Sequence, residues 1–212
     1  SYGRLAVDFG TGEPSAGRQV TEFSCDRVHF AGNRGVCLET RPNVINAYSA
    51  ILFDARFRAT ATLPLSGIPS RARVSPDGRY VATTVFVSGH SYGGTDFSTE
   101  TQIVDSVTGA PVVANLEQME VWSAEGRPIK VPDFNFWGVT FARDSNTFYA
   151  TLGMGGRTHL IRGNLKQKRA RVIHPDVECP ALSPDGQRIA YKHREGGEVA
   201  GVQSATTWRL HV

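Results

Sequence analysis

One short stretch of the sequence has residue types and a spacing that could support catalysis. Gly89-His90-Ser91-Tyr92-Gly93 matches G-x-S-x-G, the signature of hydrolases that use a serine nucleophile. The signature works only where a buried strand turns sharply into a helix, because that turn holds the serine hydroxyl beside an oxyanion hole. The residues after Gly94 predict a loop and then a strand, "TQIVDSV" (101 to 107), rather than a helix. We therefore expect Ser91 to lie in a loop, and we predict no catalytic residue.

The overall composition restricts the classes of partner and site. The 212 residues are 40% apolar and 20% charged, and the 23 basic and 20 acidic side chains are scattered along the chain. Nucleic acid is therefore not an expected partner. No apolar run reaches the roughly 20 residues that a membrane-spanning helix needs, so we expect no transmembrane segment. The sequence leaves open whether a leader preceded residue 1.

Four similar hairpins recur along the chain. "RVSPDGRYVATT" (73 to 84) and "ALSPDGQRIAYK" (181 to 192) share a Ser-Pro-Asp-Gly turn between apolar residues, and "HFAGNRGVCLET" (29 to 40) and "TFARDSNTFYAT" (140 to 151) are degenerate copies. Proline presets the turn dihedral, Asp or Asn caps the turn through its side chain, and glycine takes a positive φ. The predicted turn residues are Asn33, Asp77, Gly78, Asp144, Asp185 and Gly186.

A second element follows each hairpin. It is an apolar strand that often ends in Asp and a Thr-Gly turn, then a short, more polar strand, as in "QIVDSVTG" (102 to 109) and "PVVANL" (111 to 116). The unit therefore has four strands, which we name a to d, and it repeats every 41 to 67 residues. Since no 15-residue stretch keeps a helical period, these units predict an all-β fold, a β-propeller of four-stranded antiparallel blades.

These hairpins, followed by strands with Val-Asp and Thr-Gly, resemble the repeats of TolB-like β-propellers, a family named for a periplasmic bacterial protein. The resemblance covers nearly the whole chain and is specific for the fold rather than for a site. It implies a bacterial protein that works outside the cytoplasm, whether periplasmic, secreted or at the cell surface. It also implies a protein partner, for example in the cell envelope, with a glycan or a small ligand as the alternative.

The repeats divide the chain into blade segments of about 1-24, 25-68, 69-119, 136-176 and 177-212. These make four to five blades, whereas propellers of this family usually have about six. Because the sequence begins and ends on a strand c, two c strands would compete for one place in a closed ring. We therefore expect a fragment of a larger propeller, or an irregular closure.

Two insertions lengthen the interval between Val74 and Phe141. One, "SGHSYGGTDFS" (88 to 98), lies between strands b and c, and the other, "EQMEVWSAEGRPIKVPDFNF" (117 to 136), lies between strand d and the next strand a. Both connections leave a blade on the face opposite the Ser-Pro-Asp-Gly turns, and such insertions often carry binding. The predicted binding surface is made of exposed aromatic and charged residues, His90, Tyr92, Phe97, Trp122, Arg127, Lys130, Asp133, Phe134 and Trp137. The alternative is that the aromatic residues only pack the longer loops onto the blade.

The three cysteines, Cys25, Cys37 and Cys179, match no metal motif and allow one disulfide at most. In a regular hairpin Cys37 would face His29, four residues from Cys25, which is too far for a bridge. A disulfide involving Cys25 and buried free thiols therefore remain alternatives.

No cofactor is expected from the sequence. The recurring Asp77, Asp144 and Asp185 favour turn caps, although a cation in the central channel is also compatible with them. The predicted function is a non-catalytic binding platform. The alternative is a propeller enzyme, a hydrolase or a lyase, with its site at the channel mouth.

Overall fold

The computed structural model describes residues 3–8, 18–41, 47–89, 97–195, 198–199, 202–203 and 207–212. Those ranges contain strands and one short 3-10 helix, Leu116–Gln118, and none of their helices is long and apolar enough to cross a membrane. The strands are β1 (Arg4–Val7), β2 (Gln19–Ser24), β3 (Arg27–Ala31), β4 (Arg34–Thr40), β5 (Tyr48–Asp54), β6 (Ala59–Pro64), β7 (Ile68–Val74), β8 (Tyr80–Ser88), β9 (Ser98–Asp105), β10 (Pro111–Val113), β11 (Glu120–Trp122), β12 (Pro128–Ile129), β13 (Asn135–Phe141), β14 (Thr147–Met154), β15 (Arg157–Asn164), β16 (Arg169–Pro175), β17 (Val177–Leu182), β18 (Ile189–Glu195), β19 (Glu198–Val199), β20 (Val202–Gln203) and β21 (Thr207–His211).

The strands pair in chain order into a series of antiparallel sheets. The first sheet is β1-β2, the second β3-β4-β5-β6 and the third β7-β8-β9-β10. The fourth contains β13-β14-β15-β16, the fifth is β17-β18-β21, and β19 and β20 form a separate pair. Strands that are neighbours in sequence are neighbours in the second and third sheets, which is the meander of a propeller blade.

Facing sheets pack through apolar side chains. Val36 and Leu52 of the second sheet belong to the same hydrophobic core as Val81 and Val104 of the third sheet. A second core lies between the third and fourth sheets and includes Phe148. Because the second sheet is covered on both faces, β4 and β5 are nearly continuous buried runs rather than alternating ones. The predicted fold class, all-β with four-stranded antiparallel blades, is confirmed.

The first strands of successive sheets contact one another. β3 lies against β7, β7 against β13, and β13 against β17. These four strands are the strands a of the sequence repeat, and in a propeller they surround the central axis. Polar side chains on them therefore come together from four different parts of the sequence.

Aspartate side chains close three of the repeated turns. Asp77 Oδ1 accepts hydrogen bonds from Ser75 Oγ at 2.6 Å and from the Arg79 N–H at 2.9 Å. Asp144 and Asp185 make corresponding bonds within their own turns. Gly78 and Gly186 follow with φ of 77° and 75°, conformations that glycine adopts without the steric cost of a Cβ.

The turn at Asn33 differs from the predicted pattern. Gly32 and Asn33 have φ of 54° and 62°, and Ala31 pairs directly with Arg34, so the turn has two residues. Asn33 contributes a left-handed backbone conformation, as two-residue hairpin turns require. The prediction that it caps the turn as Asp77 does is wrong: among the described residues its side chain makes no hydrogen bond. The tighter turn also shifts the register, so that Cys37 pairs with Val28 and not with His29.

Cys25 and Cys37 form a disulfide, with their Cα atoms 5.3 Å apart. The argument that a regular hairpin keeps these two cysteines too far apart is wrong, because Cys25 is not part of the hairpin. It lies in the link between β2 and β3, where its N–H donates to the Gly3 carbonyl at 3.0 Å. The chain then bends at Asp26, whose N–H donates to the Leu38 carbonyl at 2.8 Å. The disulfide therefore ties the first sheet to the second, and Cys179 is a free thiol.

Candidate functional site

The longer insertion adds two strands to the outer edge of the fourth sheet. β11 and β12 form a hairpin, and β11 pairs in parallel with β16, so that the sheet has the order β12-β11-β16-β15-β14-β13. The last strand of a blade has an edge of free backbone groups, and β11 uses them. The prediction that this insertion simply projects from one face is therefore wrong for β11 and β12, which extend the sheet sideways.

A groove lies along this insertion. Its volume is about 710 Å³, and its walls are Glu117, Gln118, Met119, Glu120, Val121, Trp122, Pro128, Ile129, Lys130, Val131, Pro132 and Phe134. Met119 and Val121 are buried at its base, whereas Glu117, Glu120 and Lys130 are exposed at its rim. We call it the insertion groove. It combines an apolar base with charges of both signs at its edge.

Trp122 is held in place from the side of the neighbouring strand. The Arg169 guanidinium lies 4.8 Å from the centre of the Trp122 ring, and it also contacts Glu120 Oε2 through Nη2 at 2.9 Å and Nε at 3.1 Å. Hydrogen bonding to Arg169 lowers the pKa of Glu120, which keeps the carboxylate charged. The cation–π contact and the ion pair therefore hold the Trp122 ring in one orientation at the groove.

The structure distributes the other predicted binding residues over several environments. Lys130 and Phe134 line the insertion groove with Trp122. Arg127 lies in the β11–β12 turn, 3.9 Å from Glu125, and Asp133 Oδ2 accepts a hydrogen bond from the Gly155 N–H at 2.8 Å. These two are therefore outside the groove walls. His90 and Tyr92, like Ser91 of the serine motif, lie outside the described residues.

Trp137 is buried rather than exposed. Only 2% of its surface is accessible, and its ring meets the edge of Phe97 at a centroid distance of 5.3 Å. The prediction that Trp137 belongs to an exposed binding surface is wrong, because the residue lies within β13 and packs there. Phe97 also contacts Phe86. Phe97 and Trp137 therefore pack the loop onto the blade, which is the alternative stated above for the aromatic residues.

The two insertions are adjacent where they join the blades. Asn135 Oδ1 accepts the Thr99 N–H at 2.8 Å, and Asn135 Nδ2 donates to the Phe97 carbonyl at 3.2 Å. The Thr99 hydroxyl donates to the Phe136 carbonyl at 2.8 Å. These bonds link the end of the shorter insertion to the end of the longer one.

A second concave site lies where the first strands of the sheets converge. Its volume is about 410 Å³, and its walls are His29, Ala31, Arg73, Val74, Pro76, Thr140, Phe141, Arg143, Leu182, Ser183 and Pro184. These residues come from β3, β7, β13 and β17 or from the turns that follow them. We call it the axial pocket. Its ionisable wall residues are His29, Arg73 and Arg143, so the pocket is basic.

The hydrogen bonds of His29 determine its tautomer. Nδ1 lies 3.0 Å from the Val74 backbone nitrogen, whose N–H donates to it, so Nδ1 carries no proton. In a neutral imidazole the proton is then on Nε2, which lies 3.0 Å from Arg73 Nη1. The protonated Nε2 and the guanidinium are both donors.

The His29 side chain is expected to stay neutral through mildly acidic pH. Burial, and then the charge of Arg73, lower its pKa from 6.5 to about 4. Since the unfolded chain takes up the proton at about 6.5, lowering the pH from 6.5 towards 4 favours the unfolded state and reduces stability. NMR titration of the ring signals should give a midpoint near pH 4, whereas a midpoint at 6.5 or above would contradict this environment.

The axial residues were not predicted as a site. His29 and Arg73 occupy the same place in two copies of the repeat, one residue before the apolar residue that opens the turn. That place lies on strand a, so a polar residue there points to the axis. The sequence feature that could have predicted the axial pocket is a polar residue at the same position of strand a in two copies, and it is visible only once the copies are aligned.

Metal binding finds no support in the parts of the chain that the structure describes, where no group of three His, Cys, Asp or Glu side chains could hold an ion. The turn residues Asp77, Asp144 and Asp185 direct their carboxylates to hydrogen-bond donors of their own turns. Their recurrence is therefore explained by turn formation.

No family model and no curated protein matches this sequence. Among solved structures, the dihydro-heme d1 dehydrogenase NirN in complex with DHE aligns with a TM-score of 0.51 and 16% identity, over 90% of this chain and 38% of that chain. TolB from Acinetobacter baumannii aligns with a TM-score of 0.49 and 14% identity, over 76% of this chain and 36% of that chain. The β-propeller domain of the Trilobed protease from Pyrococcus furiosus aligns with a TM-score of 0.46 and 14% identity, over 87% of this chain and 51% of that chain.

The four-stranded meander sheets, with first strands that contact one another, are the architecture of a β-propeller, and TolB and other β-propeller proteins are among the structural neighbours. The chain has a β-propeller fold. The resemblance to TolB-like repeats is confirmed as one of fold, and identities of 14% to 16% carry nothing further. This propeller chain spans between about a third and a half of the length of these three structures, with coverages of 36%, 38% and 51%.

Proposed function

We propose that this β-propeller is a non-catalytic platform that binds a protein partner through the insertion groove. The observation that carries the proposal is the groove itself, which Trp122, Lys130 and Phe134 line above an apolar base. Aromatic residues such as Trp122 and Phe134, set in a pocket with a charged rim, are typical of the energetic centre of protein interfaces. The groove is also the largest of the concave sites described above.

The groove fits side chains of the partner rather than an added strand. β12, the edge strand of the enlarged fourth sheet, consists only of Pro128 and Ile129, and proline has no backbone N–H to donate to a partner strand. We therefore expect apolar side chains of the partner to lie over Met119 and Val121 at the base of the groove. The rim residues Glu117, Glu120 and Lys130 then select for charge.

We also propose that the protein works outside the cytoplasm, in the periplasm, at the cell surface or as a secreted protein of a bacterium. The Cys25–Cys37 disulfide supports this placement, because stable disulfides persist in oxidising compartments. The resemblance of the repeats to TolB-like propellers agrees with it. A partner in the cell envelope follows from the same placement.

The alternative of a propeller enzyme has less support. In the axial pocket His29 has one nitrogen bonded to the Val74 N–H and the other, protonated one directed at Arg73. This histidine is therefore unsuited to act as a general base, and the other ionisable wall residues, Arg73 and Arg143, carry guanidinium groups, which donate hydrogen bonds and do not accept them. No observation on the described residues favours a hydrolase or a lyase.

Replacing Trp122 with alanine is expected to weaken partner binding by about tenfold or more, as truncation of a central interface tryptophan usually does. The measurement is quantitative recovery of partners from cell-envelope extract on the immobilised chain. Trp208→Ala is the matched control, since Trp208 is 40% exposed on β21 in the fifth sheet and contacts Lys192. Equal recovery by the parent chain and by Trp122→Ala would remove the groove from the proposal.

A further inference from the structure

The axial pocket is lined by more hydrogen-bond donors than charged acceptors. His29, Arg73 and Arg143 are its ionisable wall residues, and neither arginine forms an ion pair with any carboxylate of the described residues. Arg73 Nε makes a long bond of 3.5 Å to the Val139 carbonyl, and Arg143 Nε donates to the Pro184 carbonyl at 2.8 Å. Most of the donor capacity of both guanidinium groups is left for another acceptor.

The contact between His29 and Arg73 is unfavourable without such an acceptor. Because Nδ1 of His29 already accepts from Val74, the proton lies on Nε2, and this N–H faces the Nη1 donor of Arg73 at 3.0 Å. Two donors that face each other gain no hydrogen bond. If the guanidinium moves off its 3.0 Å contact with Nε2, an oxygen atom that enters between the two groups can accept from both. His29 and Arg73 therefore form a pair of donors for one bound acceptor.

Burial of the guanidinium makes the requirement stronger. Partial burial lowers the pKa of Arg73, because its charge is partly removed from water and none of the ion pairs among the described residues includes it. The acidic residue at the border of the pocket, Asp185, does not fill that role for Arg73. The hydrogen bond from Ser183, and to a smaller extent the charge of Arg143, lower the pKa of Asp185. Its Oδ1 accepts from Ser183 and Gln187, and its Oδ2 lies 3.9 Å from Arg188.

We propose that the axial pocket binds an oxyanion, a carboxylate or a phosphate group, between His29 and Arg73. The anion separates the two groups, so that one oxygen accepts from His29 Nε2 and a second oxygen accepts from the guanidinium hydrogens of Arg73, as planar oxyanions do with arginine. Arg143 lies at the same wall and adds positive charge. This site is separate from the insertion groove and does not depend on the function proposed for it.

The oxyanion has two sources with the same chemistry. It is either a free small anion or a carboxylate side chain of a partner that enters the pocket. Inorganic phosphate and acetate serve as probes of the site itself, and a short peptide with a terminal glutamate tests the second source. Tighter binding of the peptide than of acetate assigns the site to a protein carboxylate, and equal binding assigns it to free anions.

The experiment is a titration of the 212-residue chain with phosphate and acetate, followed by NMR of the His29 ring. We expect the parent chain to show the Nε2–H tautomer and a saturable shift of the Nε2 signal. Arg73→Gln should weaken binding more than tenfold. His29→Asn keeps an acceptor for the Val74 N–H, but its shorter side chain places no donor at the position of Nε2. It should weaken binding by about tenfold or more, the loss of roughly one charge-assisted hydrogen bond.

Arg58→Gln is the matched control, because Arg58 is an exposed arginine beside Asp54 on the second sheet, and it should bind as the parent does. If Arg73→Gln does not fold, His29→Asn and the tautomer of the parent chain still decide the question. The proposal is overturned if the tautomer is Nδ1–H. It is also overturned if chloride at matched ionic strength shifts the signal equally, or if no saturable shift occurs up to about 10 mM, which would fill a millimolar site.

Discussion

Replacing Gly78 with alanine is expected to lower the free energy of unfolding by about 3 to 5 kcal/mol, enough to prevent folding of a marginal chain. A Cβ at Gly78 would lie 2.2 Å from the Gly32 carbonyl oxygen, and a Cβ at Gly32 would lie 2.2 Å from the Gly78 nitrogen. The two turns come from adjacent sheets and meet backbone to backbone. Since both contacts are with main-chain atoms, no side-chain rotation relieves the overlap.

Gly186→Ala is the matched control for this prediction. Gly186 occupies the same place in the second Ser-Pro-Asp-Gly copy and has φ of 75°, but a Cβ there would meet no atom within 4 Å. It should cost only about 1 kcal/mol, the price of a left-handed conformation in alanine. Urea unfolding of the three proteins measures both effects. Equal destabilisation by the two substitutions would show that the contact between the sheets is absent.

Breaking the Cys25–Cys37 bond is expected to lower the free energy of unfolding by about 3 kcal/mol, the usual effect for a loop of about this length. The bond closes a separation of 12 residues and joins the first sheet to the second. Cys37 is completely buried in a cluster with Phe23 and Phe53. The double variant Cys25→Ser, Cys37→Ser should therefore unfold at lower urea concentration than the parent chain.

Reductant and the free thiol provide the controls for the disulfide. Adding dithiothreitol should destabilise the parent chain and leave the double variant unchanged. Cys179→Ser should keep the full response to dithiothreitol, because Cys179 takes no part in the bond. If the parent chain unfolds at the same urea concentration with and without reductant, the disulfide contributes no stability.

The repeated hairpins are the part of the fold that sequence reasoning could predict. Asp77 and Asp185 bind their own turns, and the apolar strands β4 and β5 fill the space between sheets. These features are local, because turn residues and runs of apolar residues act within a few positions. A pattern repeated along the chain then implies the packing of one unit on the next.

Features that depend on contacts between distant residues were not predictable in the same way. The parallel pairing of β11 with β16 requires a free strand edge almost 50 residues away, with Glu120 opposite Arg169. The disulfide requires a bend at Asp26 that no local pattern indicates. Trp137 has the composition of a binding residue, but its place within β13 makes it a core residue.

The candidate site was predictable only in part for the same reason. Trp122, Lys130 and Phe134 were chosen by their residue types within an insertion, and the structure places them along one groove. His29 and Arg73 lie 44 residues apart and become neighbours only because β3 and β7 are the first strands of adjacent sheets. Alignment of repeat positions would have identified the shared place, but not the tautomer that makes both groups donors.

The measurement that tests the binding proposal most directly is site-specific photo-crosslinking in cell-envelope extract. A photoreactive phenylalanine analogue is placed at Lys130, on the rim of the insertion groove, or at Lys166, an exposed residue between β15 and β16. We predict a defined crosslinked protein from position 130 that disappears in the Trp122→Ala background, and none from position 166. The same products from both positions, or a product at 130 that survives Trp122→Ala, would contradict the proposal that the insertion groove is the binding site.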